Sequence, residues 1–594
     1  MCGIVGYTGK RQAQSVIMDI LSKLEYRGYD SCSIALTGSG LKVIKDAVRV
    51  GELARTMPSL KGVTGIGHTR WATHGEPNQV NAHPHTDCSG QIAVVHNGII
   101  TNFDSLRRQL TSEGHKFLSD TDTEVIAHLI EKYFTDNLQE AVKRALQDVE
   151  GSYAVAVVVA DSPDIVVARK ESPLILGVGD RENFIASDVP AVLDYTNRVL
   201  YLEDGDIGLV SPNEIRLSNG GVRVNREEHK ILWSAEQARK GGYEHFMLKE
   251  IHEQPRVIRD TLMGGLTDSP DVGFDCVLIS DSIDTLLMMA CGTSYHAALV
   301  GKTIFEELLG IPAKVEIASE FNYYKRTLVG KRAIVITQSG ETADTLRAIK
   351  RLKQAGCKVT AITNVMGSTA SRIADAVFFT KAGPEMSVAA TKTFVGQLLV
   401  LCQMAMSCSG IDIRRRDELI AELRQLPQKV QQVLDDESRV ADIARYLADY
   451  ENVFFIGRGI NYPVALEGAL KLKEISYIHA EGYAAGELKH GPFALLSAQT
   501  PVVAIVSRDD SYDAIISNVR EVKARKSPVI MLAGQSDEQA GKFADFVITL
   551  PEVDIIFSPL VNVVVLQLLA YYTAKYRGCS IDFPRNLAKS VTVE

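Results

Sequence analysis

Two stretches of this sequence, LLMMACGTSYHAALVGKTIFEEL at 286–308 and VFFIGRGINYPVALEGALKLKEI at 453–475, share one pattern. Each has a short apolar run, then a turn that contains glycine, then a longer segment with apolar residues at helical spacing. A second pair, AIVITQSGETADTLRAIKRLKQAG at 333–356 and VVAIVSRDDSYDAIISNVREVKAR at 502–525, follows the same order. A strand–turn–helix unit that recurs in this way predicts two related, doubly wound α/β subdomains.

The sequence before these repeats predicts a different kind of domain. It contains apolar strands such as QIAVVHNG at 91–98 and short amphipathic helices, which indicate an α+β fold. In TDTEVIAHLIEKYF, at 121–134, we predict a helix with Thr121 as its N-cap. The polar, glycine-containing sequence from 234 onward predicts a boundary. The predicted domains are 1–238 (α+β), 239–276 (linker and entry helix), 277–420 and 421–580 (the two α/β subdomains) and 581–594 (a C-terminal tail).

Composition limits the class of protein. The 594 residues suit roughly two to four domains, and the net charge of −9 gives no footprint for nucleic-acid binding. No signal peptide is expected, and the apolar runs at 394–408 and 560–574 are short for membrane spans, so we expect buried helices. The nine cysteines are scattered without CxxC spacing, which argues against zinc and disulfides and indicates a reducing compartment. We therefore expect a cytoplasmic protein without metal or cofactor.

The N-terminus offers a candidate nucleophile. A small residue at position 2 permits removal of Met1, and the freed α-amino group of Cys2, with a pKa of about 8, can accept the proton of the thiol. At the end of a predicted strand, the Asn97 side chain and the Gly98 N–H can both point at a developing oxyanion. Taken alone, each feature has an ordinary explanation, either a small buried cysteine or an Asn-Gly turn.

Two charged residues match a free amino acid as substrate. Arg70, in GHTRWATHG at 67–75, offers two parallel donors to a carboxylate, and Asp122 can pair with an ammonium group. Glutamine carries both groups, so the pair would clamp its α-carbon end.

MCGIVGY, LEYRGYDS, GHTRWATHG, HNGII and TDTEV together resemble the class II glutamine amidotransferases, N-terminal-nucleophile hydrolases of sandwiched sheets with helices. The resemblance implies that Cys2 attacks the glutamine amide and releases ammonia, with Asn97 and Gly98 as the oxyanion hole. One departure is YRGYDSCS, where YRGYDSAG is usual. The residues that the resemblance assigns to glutamine are Arg70 and Thr73 for the carboxylate, Asp122 and Gly98 for the amino group, Trp71 and His74 on a closing loop, where Trp71 gates ammonia, and Arg27, which orders the N-terminus.

The C-terminal part offers a candidate phosphate site. ITQSGETADT, at 336–345, and CGTS, at 291–294, each place hydroxyls and backbone N–H groups at a helix N-terminus, although either could simply be a capped helix. Neither GxxxxGK[ST] nor GxGxxG occurs there, so a small phosphate monoester fits better than a nucleotide. Asp509 and Asp510 of the second repeat would repel phosphate, so we expect one such site per chain. The candidate ligands are Thr293, Ser294, Thr337, Gln338, Ser339 and Thr342.

These turns resemble the SIS sugar-isomerase fold, and the whole chain resembles amidotransferases that carry two SIS subdomains. The resemblance implies conversion of D-fructose 6-phosphate and L-glutamine to D-glucosamine 6-phosphate and L-glutamate, the first step of hexosamine synthesis, with ammonia channelled between sites. It also implies a homodimer. The residues it assigns to the sugar are His490, which opens the ring from the neighbouring subunit, Lys589 for a Schiff base, Glu474 as the base with Lys471 as its partner, and Val388 and Ala588 as sugar-contacting or tail positions.

Two other functions agree less well with the sequence. An amidotransferase with another acceptor needs a phosphoribosyltransferase loop or an SGGxDS loop, and the sequence has neither. A sugar-phosphate-binding regulator with an inactive glutaminase would lack Cys2, Asn97, Glu474 or Lys589, and all four are present.

Overall fold

A computed structural model describes residues 2–72, 74–231, 233–263, 285–323, 332–408 and 411–592. The chain divides into two compact units. The first contains the residues up to Ala238 together with Glu341–Ala343 and Ala588–Glu594, and the second contains Arg239–Gly340 and Asp344–Leu587.

The first unit is built on two antiparallel sheets. Its strands are β1 Gly3–Thr8, β2 Ser31–Gly38, β3 Gly40–Asp46, β4 Thr64–Arg70, β5 His85–Thr86, β6 Ile92–Ile100, β7 Gly151–Val159, β8 Ile165–Lys170, β9 Ile175–Val178, β10 Asn183–Ala186, β11 Arg198–Tyr201, β12 Asp206–Val210, β13 Ile215–Asn219, β14 Val222–Val224 and β15 Glu228–Lys230. The first sheet has the order β15-β11-β9-β10-β1-β4-β2-β3, and the second has the order β14-β13-β12-β8-β7-β6-β5.

Successive side chains of a strand point to opposite faces of its sheet. One apolar core therefore lies between the two sheets, and another lies between the second sheet and the helices on its outer face. Ile4 and Ile66 of the first sheet pack with Val95 and Val167 of the second, whereas Val94 and its neighbours face helices. The helices of this unit are α1 Ala13–Leu24, α2 Val50–Thr56, α3 Phe103–Ser112, α4 Glu124–Tyr133 and α5 Leu138–Gln147. The predicted fold of sandwiched sheets with helices is confirmed.

The predicted start of α4 was wrong. The helix begins at Glu124, with Thr123 before it, and Thr121 does not cap it. The Thr121 hydroxyl instead lies 3.0 Å from His85 Nε2 and 2.9 Å from the Ser119 hydroxyl. The Thr121 side chain, which the N-cap preference would place at the start of the helix, is therefore used in tertiary hydrogen bonds instead.

The second unit contains two parallel sheets. Its strands are β16 Leu286–Ala290, β17 Ala313–Ile317, β18 Arg332–Ile336, β19 Lys358–Thr363, β20 Ala376–Phe379, β21 Asn452–Gly457, β22 His479–Ala484, β23 Val502–Ile505, β24 Val529–Gly534 and β25 Phe546–Leu550. The orders are β17-β16-β18-β19-β20 and β22-β21-β23-β24-β25, so both sheets have the order 2-1-3-4-5 in their own numbering. The predicted duplication and doubly wound fold are confirmed.

Helices cover both faces of these sheets, and one layer is shared. The helices are α6 Phe246–His252, α7 Gln254–Leu262, α8 Gly292–Leu309, α9 Ala318–Phe321, α10 Ala343–Gln354, α11 Thr369–Ile373, α12 Lys392–Met406, α13 Ile413–Leu423, α14 Leu426–Asp435, α15 Glu437–Leu447, α16 Asn461–Ser476, α17 Tyr512–Lys523 and α18 Ser558–Tyr576. Residues of α8, α12, α16 and α18 join both sheets in one large core.

One helical stretch in the described part of the chain is long and apolar enough to cross a membrane. It runs from Ile555 to Tyr576, and 89% of its most apolar window is buried inside the protein. Its neighbours are α14, α15 and α16, so it is a core helix, as the sequence predicted for 560–574.

Candidate active sites

Cys2 lies at the start of β1, between the ends of other strands. Its thiol accepts a hydrogen bond from Trp71 N at 3.2 Å and donates to Trp71 O at 3.5 Å. Its carbonyl oxygen accepts from Asn97 Nδ2 at 3.0 Å and from Arg27 Nε at 3.2 Å. The structure therefore brings together four residues from four separate segments, and all four were predicted from the sequence.

Arg27 is fixed by groups that the sequence did not single out. Its guanidinium donates to Asp188 Oδ2 at 3.2 Å, and the same oxygen accepts the Tyr26 hydroxyl at 2.5 Å. Burial raises the pKa of Tyr26 well above its ordinary value, so the phenol stays protonated and remains a donor. Arg27 is itself buried, and this rigid network holds the backbone of Cys2.

A buried histidine orients the Asn97 side chain. His68 Nε2 lies 3.1 Å from Asn97 Oδ1, and burial lowers the pKa of His68 to about 3, so the ring is neutral. Asn97 Nδ2 donates to the Cys2 carbonyl and to Ser187 Oγ at 2.9 Å, so its Oδ1 must accept from His68. Both amide hydrogens of Asn97 are thus in use, and one must be released before it can donate to an oxyanion.

His68 and Ser187 were missed from the sequence. A signal for His68 existed, because it lies two residues before Arg70 on β4 and therefore on the same face of the strand. No comparable signal existed for Ser187, which is 90 residues from Asn97 in the chain.

Gly98 occupies a position that only glycine fits. Its φ is +139°, and a Cβ there would lie 2.0 Å from the carbonyl oxygen of Ser152 on the neighbouring strand. The Gly98 N–H is thereby held at the end of β6, next to Asn97.

We expect Gly98→Ala to destabilise the first unit by at least about 2 kcal/mol, because backbone strain and overpacking each cost about 1–3 kcal/mol. If the Gly98 N–H is an oxyanion donor, as the sequence predicts, the predicted hydrolysis of glutamine should fall by at least about 10²-fold. Chemical denaturation and glutamate release measure the two effects. Gly40→Ala is the matched control, because Gly40 also has a positive φ but nothing lies within 4 Å of its added Cβ. Equal losses in both variants would contradict the steric argument.

The predicted glutamine clamp lies close to the thiol. Arg70 is buried, which lowers its pKa, and this effect is opposed by nearby Cys2, Asp30 and Asp122. Asp122 is also buried, and its Oδ2 accepts Ile100 N at 2.8 Å. A cation and a carboxylate near one thiol can recognise the two charges of a free amino acid.

The Arg70 side chain also holds the loop that follows it. Its guanidinium donates to the carbonyl oxygens of His74, of Gly75 at 3.1 Å and of Glu76 at 3.3 Å. The His74 ring packs edge-on against Phe103, with centroids 5.4 Å apart. Thr73, the other predicted carboxylate ligand, lies outside the described residues.

Trp71 borders the thiol through its backbone and packs its ring elsewhere. The indole is half-buried and contacts Tyr29 edge-on, with centroids 5.6 Å apart. The next residue, Ala72, donates its N–H to Asp30 Oδ2 at 2.9 Å. The start of the loop is therefore tied to the turn before β2.

In the second unit, the predicted phosphate turns follow β16 and β18. β16 and β18 are adjacent in the sheet, and the strand that follows each of them in the chain lies on the opposite side of the pair. In doubly wound α/β folds, ligands bind at the carboxyl ends of two strands related in this way. Gly340 has a φ of +70°, and a Cβ there would lie 2.1 Å from Ser368 Oγ. Its N–H donates to Thr337 Oγ1 at 3.3 Å. Gln338 and Ser339, at the tip of the turn, are half-buried.

Two of the predicted phosphate ligands are engaged elsewhere. Thr293 Oγ1 donates to Glu467 Oε1 at 3.1 Å and accepts from Lys471 Nζ at 3.0 Å. Ser294 is buried, and its hydroxyl accepts Gln397 Nε2, from core helix α12, at 3.0 Å. The hydroxyls of these two residues therefore link helices within the unit.

Three charged residues of α16 lie on one face, at i, i+4 and i+7. The buried Lys471 Nζ is 2.6 Å from Glu474 Oε2 and 3.5 Å from Glu467 Oε1. Burial lowers the pKa of Lys471, but the two carboxylates outweigh it, so the net pKa is raised and the ammonium stays charged. Glu467 also contacts His296 Nδ1 at 2.7 Å. Glu467 and His296 were missed, although a Glu four residues before Lys471 was a usable signal.

The remaining predicted sugar residues belong to several segments of the chain. His490 is exposed at the end of a 3-10 turn, Ala485–His490. Val388 is buried, and its N–H donates to Asp582 O at 3.4 Å. Thr342, Ala588 and Lys589 are half-buried and lie in two short segments, 341–343 and 588–594, that group with the first unit. These two segments are joined by a hydrogen bond from Ala343 N to Val591 O at 3.0 Å.

Comparisons with known proteins agree across the whole chain. A glutamine amidotransferase domain family matches residues 68–194, and the SIS domain family matches residues 279–407 and 446–575. The chain is 47% identical to a glutamine–fructose-6-phosphate aminotransferase (isomerizing) of Caldanaerobacter subterraneus subsp. tengcongensis and 50% identical to one of Methanothermobacter thermautotrophicus. Both alignments cover 100% of each protein.

A solved structure is similar to the C-terminal part. It is the C-terminal domain of a glucosamine-fructose-6-phosphate aminotransferase from Francisella tularensis, at 37% identity with a TM-score of 0.55. The match covers 58% of this chain and 100% of that one.

Proposed function

Because this chain belongs to the glutamine–fructose-6-phosphate aminotransferase (isomerizing) family, we propose that it converts D-fructose 6-phosphate and L-glutamine to D-glucosamine 6-phosphate and L-glutamate. The observation that carries the proposal is identity of 46–50% over the full length of the chain and of each of the eight relatives compared. The surroundings of Cys2 supply the groups that amide hydrolysis needs.

In the first reaction, the Cys2 thiolate attacks the side-chain amide carbon of glutamine. The C–N bond breaks, ammonia leaves with the proton taken from the thiol, and a thioester to Cys2 remains. Water then hydrolyses the thioester to glutamate and regenerates the thiol. Asn97 and the Gly98 N–H stabilise the oxyanion of both steps, while Arg70 and Asp122 bind the substrate's carboxylate and ammonium groups.

In the second reaction, ammonia replaces the C2 oxygen of the opened ketose. His490 assists ring opening, and Lys589 holds the open sugar as a Schiff base that ammonia displaces. Glu474 then removes a proton from C1 and returns one to C2, which leaves an aldehyde at C1 and an amine at C2. The raised pKa of Lys471 makes it a permanent cation beside this base and not a base itself.

The assembly and location are also proposals. The exposed position of His490 is consistent with action on the sugar of a neighbouring subunit, so we propose a homodimer as the smallest active form. The cysteines are scattered along the sequence without CxxC spacing, which favours the reducing cytoplasm.

Product analysis tests the proposed function directly. Incubation of the enzyme with fructose 6-phosphate and glutamine labelled with ¹⁵N in its amide should give ¹⁵N-labelled glucosamine 6-phosphate and glutamate in equal amounts. Omitting the sugar should remove the amino sugar. Glutamate and free ammonia without any amino sugar, at every sugar concentration, would contradict the proposal and point to another acceptor.

A further inference from the structure

Four potential metal ligands meet at the surface of the first unit, away from the groups used above. Cys88 lies in the turn between β5 and β6, His115 follows α3, and His128 and Glu131 lie one turn apart on α4. One ligand atom from each lies within 4.8 Å of all the others.

The four atoms converge on one point. Cys88 Sγ is 3.9 Å from His115 Nδ1 and 3.7 Å from His128 Nδ1. Glu131 Oε2 is 2.8 Å and 3.0 Å from the same two nitrogens. A tetrahedral zinc ion with Zn–S of about 2.3 Å and Zn–N of about 2.0 Å has ligand–ligand edges of roughly 3.3–3.6 Å. Each measured distance is close to this range, so small side-chain adjustments would complete the tetrahedron.

The surroundings of the cluster suit a metal. His128 is buried, and its other ring nitrogen, Nε2, has no hydrogen-bond partner but lies 3.7 Å from Glu124 Oε1. A carboxylate behind a histidine is the usual outer partner that fixes a metal-binding ring. Glu124 is itself held by Leu118 N and Ser119 N, both at 2.7 Å. Lys116 N donates to Cys88 Sγ at 3.4 Å, which holds the sulfur beside the two histidines.

We propose that Cys88, His115, His128 and Glu131 bind one Zn²⁺ ion as a structural site. Thiolate, two imidazoles and one carboxylate form a set that zinc accepts, and four protein ligands leave no open position for catalysis. The ion would join the β5–β6 turn, the segment after α3 and helix α4. Because Asp122 lies just before α4, the site would also steady one side of the glutamine clamp.

The absence of CxxC spacing, from which the sequence predicts no zinc site, does not exclude this one. The present ligands are separated by 27, 13 and 3 positions and belong to three segments, so the fold alone brings them together. Without a metal, the same groups would form an ion-pair network in which Glu131 accepts from both histidines. The zinc-bound state and the metal-free state can be distinguished by measurement, because only the zinc-bound state holds one metal ion per chain.

Zinc content tests the proposal. The full-length protein is freed of metal with a chelator, titrated with Zn²⁺ against a competing chelator and analysed for bound metal. We expect one tightly held Zn²⁺ per chain and a rise in melting temperature on its addition. Cys88→Ser and His128→Gln should each weaken zinc binding by more than about 100-fold, because loss of an outer partner alone costs roughly 10–100-fold.

Two controls separate this site from other cysteines. Cys579→Ser, in the second unit, and Cys2→Ala should both keep the ion. Co²⁺ added to the wild-type protein should give a thiolate-to-cobalt absorption band that Cys88→Ser abolishes, and circular dichroism identifies any variant that fails to fold. Wild-type protein that takes up no stoichiometric zinc would overturn the proposal, as would a Cys88→Ser variant that binds it equally well or a Cys2→Ala variant that loses it.

Discussion

Replacing Cys2 by alanine is expected to lower glutamine-dependent formation of glucosamine 6-phosphate by at least about 10⁴-fold, as loss of a covalent nucleophile does in other hydrolases. The reason is that Cys2 is the proposed nucleophile, and its carbonyl group and thiol are held beside Asn97 and Trp71. Alanine still fits before β1, since the backbone carbonyl, which binds Arg27 and Asn97, is unchanged. Fold and stability should therefore persist.

The same variant should still make the amino sugar from free ammonia, because the sugar chemistry is assigned to residues of other segments. Synthesis is measured with glutamine and with an ammonium salt, at equal protein concentration. Cys579→Ser serves as the control for loss of a thiol. If Cys2→Ala lost both activities to the same extent, the assignment of two separate reactions would be wrong.

Replacing Glu474 by glutamine is expected to lower amino-sugar formation by about 10²–10⁴-fold from either nitrogen source, the usual worth of a general base. The amide has the size of the carboxylate and can remain next to Lys471, but it cannot accept a proton from C1. Glutamine hydrolysis should continue. The measurement is product formation together with glutamate release, so that the two reactions are followed in one sample.

Deuterium incorporation distinguishes a base from a merely structural residue. In D₂O, wild-type enzyme should introduce deuterium at C2 of the product, whereas Glu474→Gln should introduce none above background. Glu451→Gln, a change at an exposed carboxylate, is the matched control. Normal deuterium incorporation by Glu474→Gln, even with a slower turnover, would assign the proton transfer to another group.

Much of the glutaminase site could be predicted from the sequence because its residues lie in compact motifs. Cys2, Arg70, Trp71 and Asn97 each belong to a short stretch with a recognisable pattern, and the structure places them together. The residues that hold them were not predictable in this way. Ser187 and Asp188 act on partners that are brought close only by the pairing of β1 with β10.

Local rules failed where tertiary contacts competed with them. Thr121 has the residue type and position of an N-cap, but its hydroxyl is used by His85. The Thr293 and Ser294 hydroxyls likewise accept hydrogen bonds within the protein, from Lys471 and Gln397, and their role as phosphate ligands stays a prediction. In each case a small polar side chain has several equivalent uses, and packing selects among them.

Helix α18 has a consequence for how the protein is made. It ends at residue 576 of 594, and its apolar side chains fill the core that the two parallel sheets share. Until the ribosome has released this helix, the facing surfaces of α14, α15 and α16 stay uncovered and prone to aggregation. The second unit is therefore expected to fold only after α18 has left the ribosome, so a chain truncated before residue 558 should be cleared by the cell's proteases or recovered as insoluble protein.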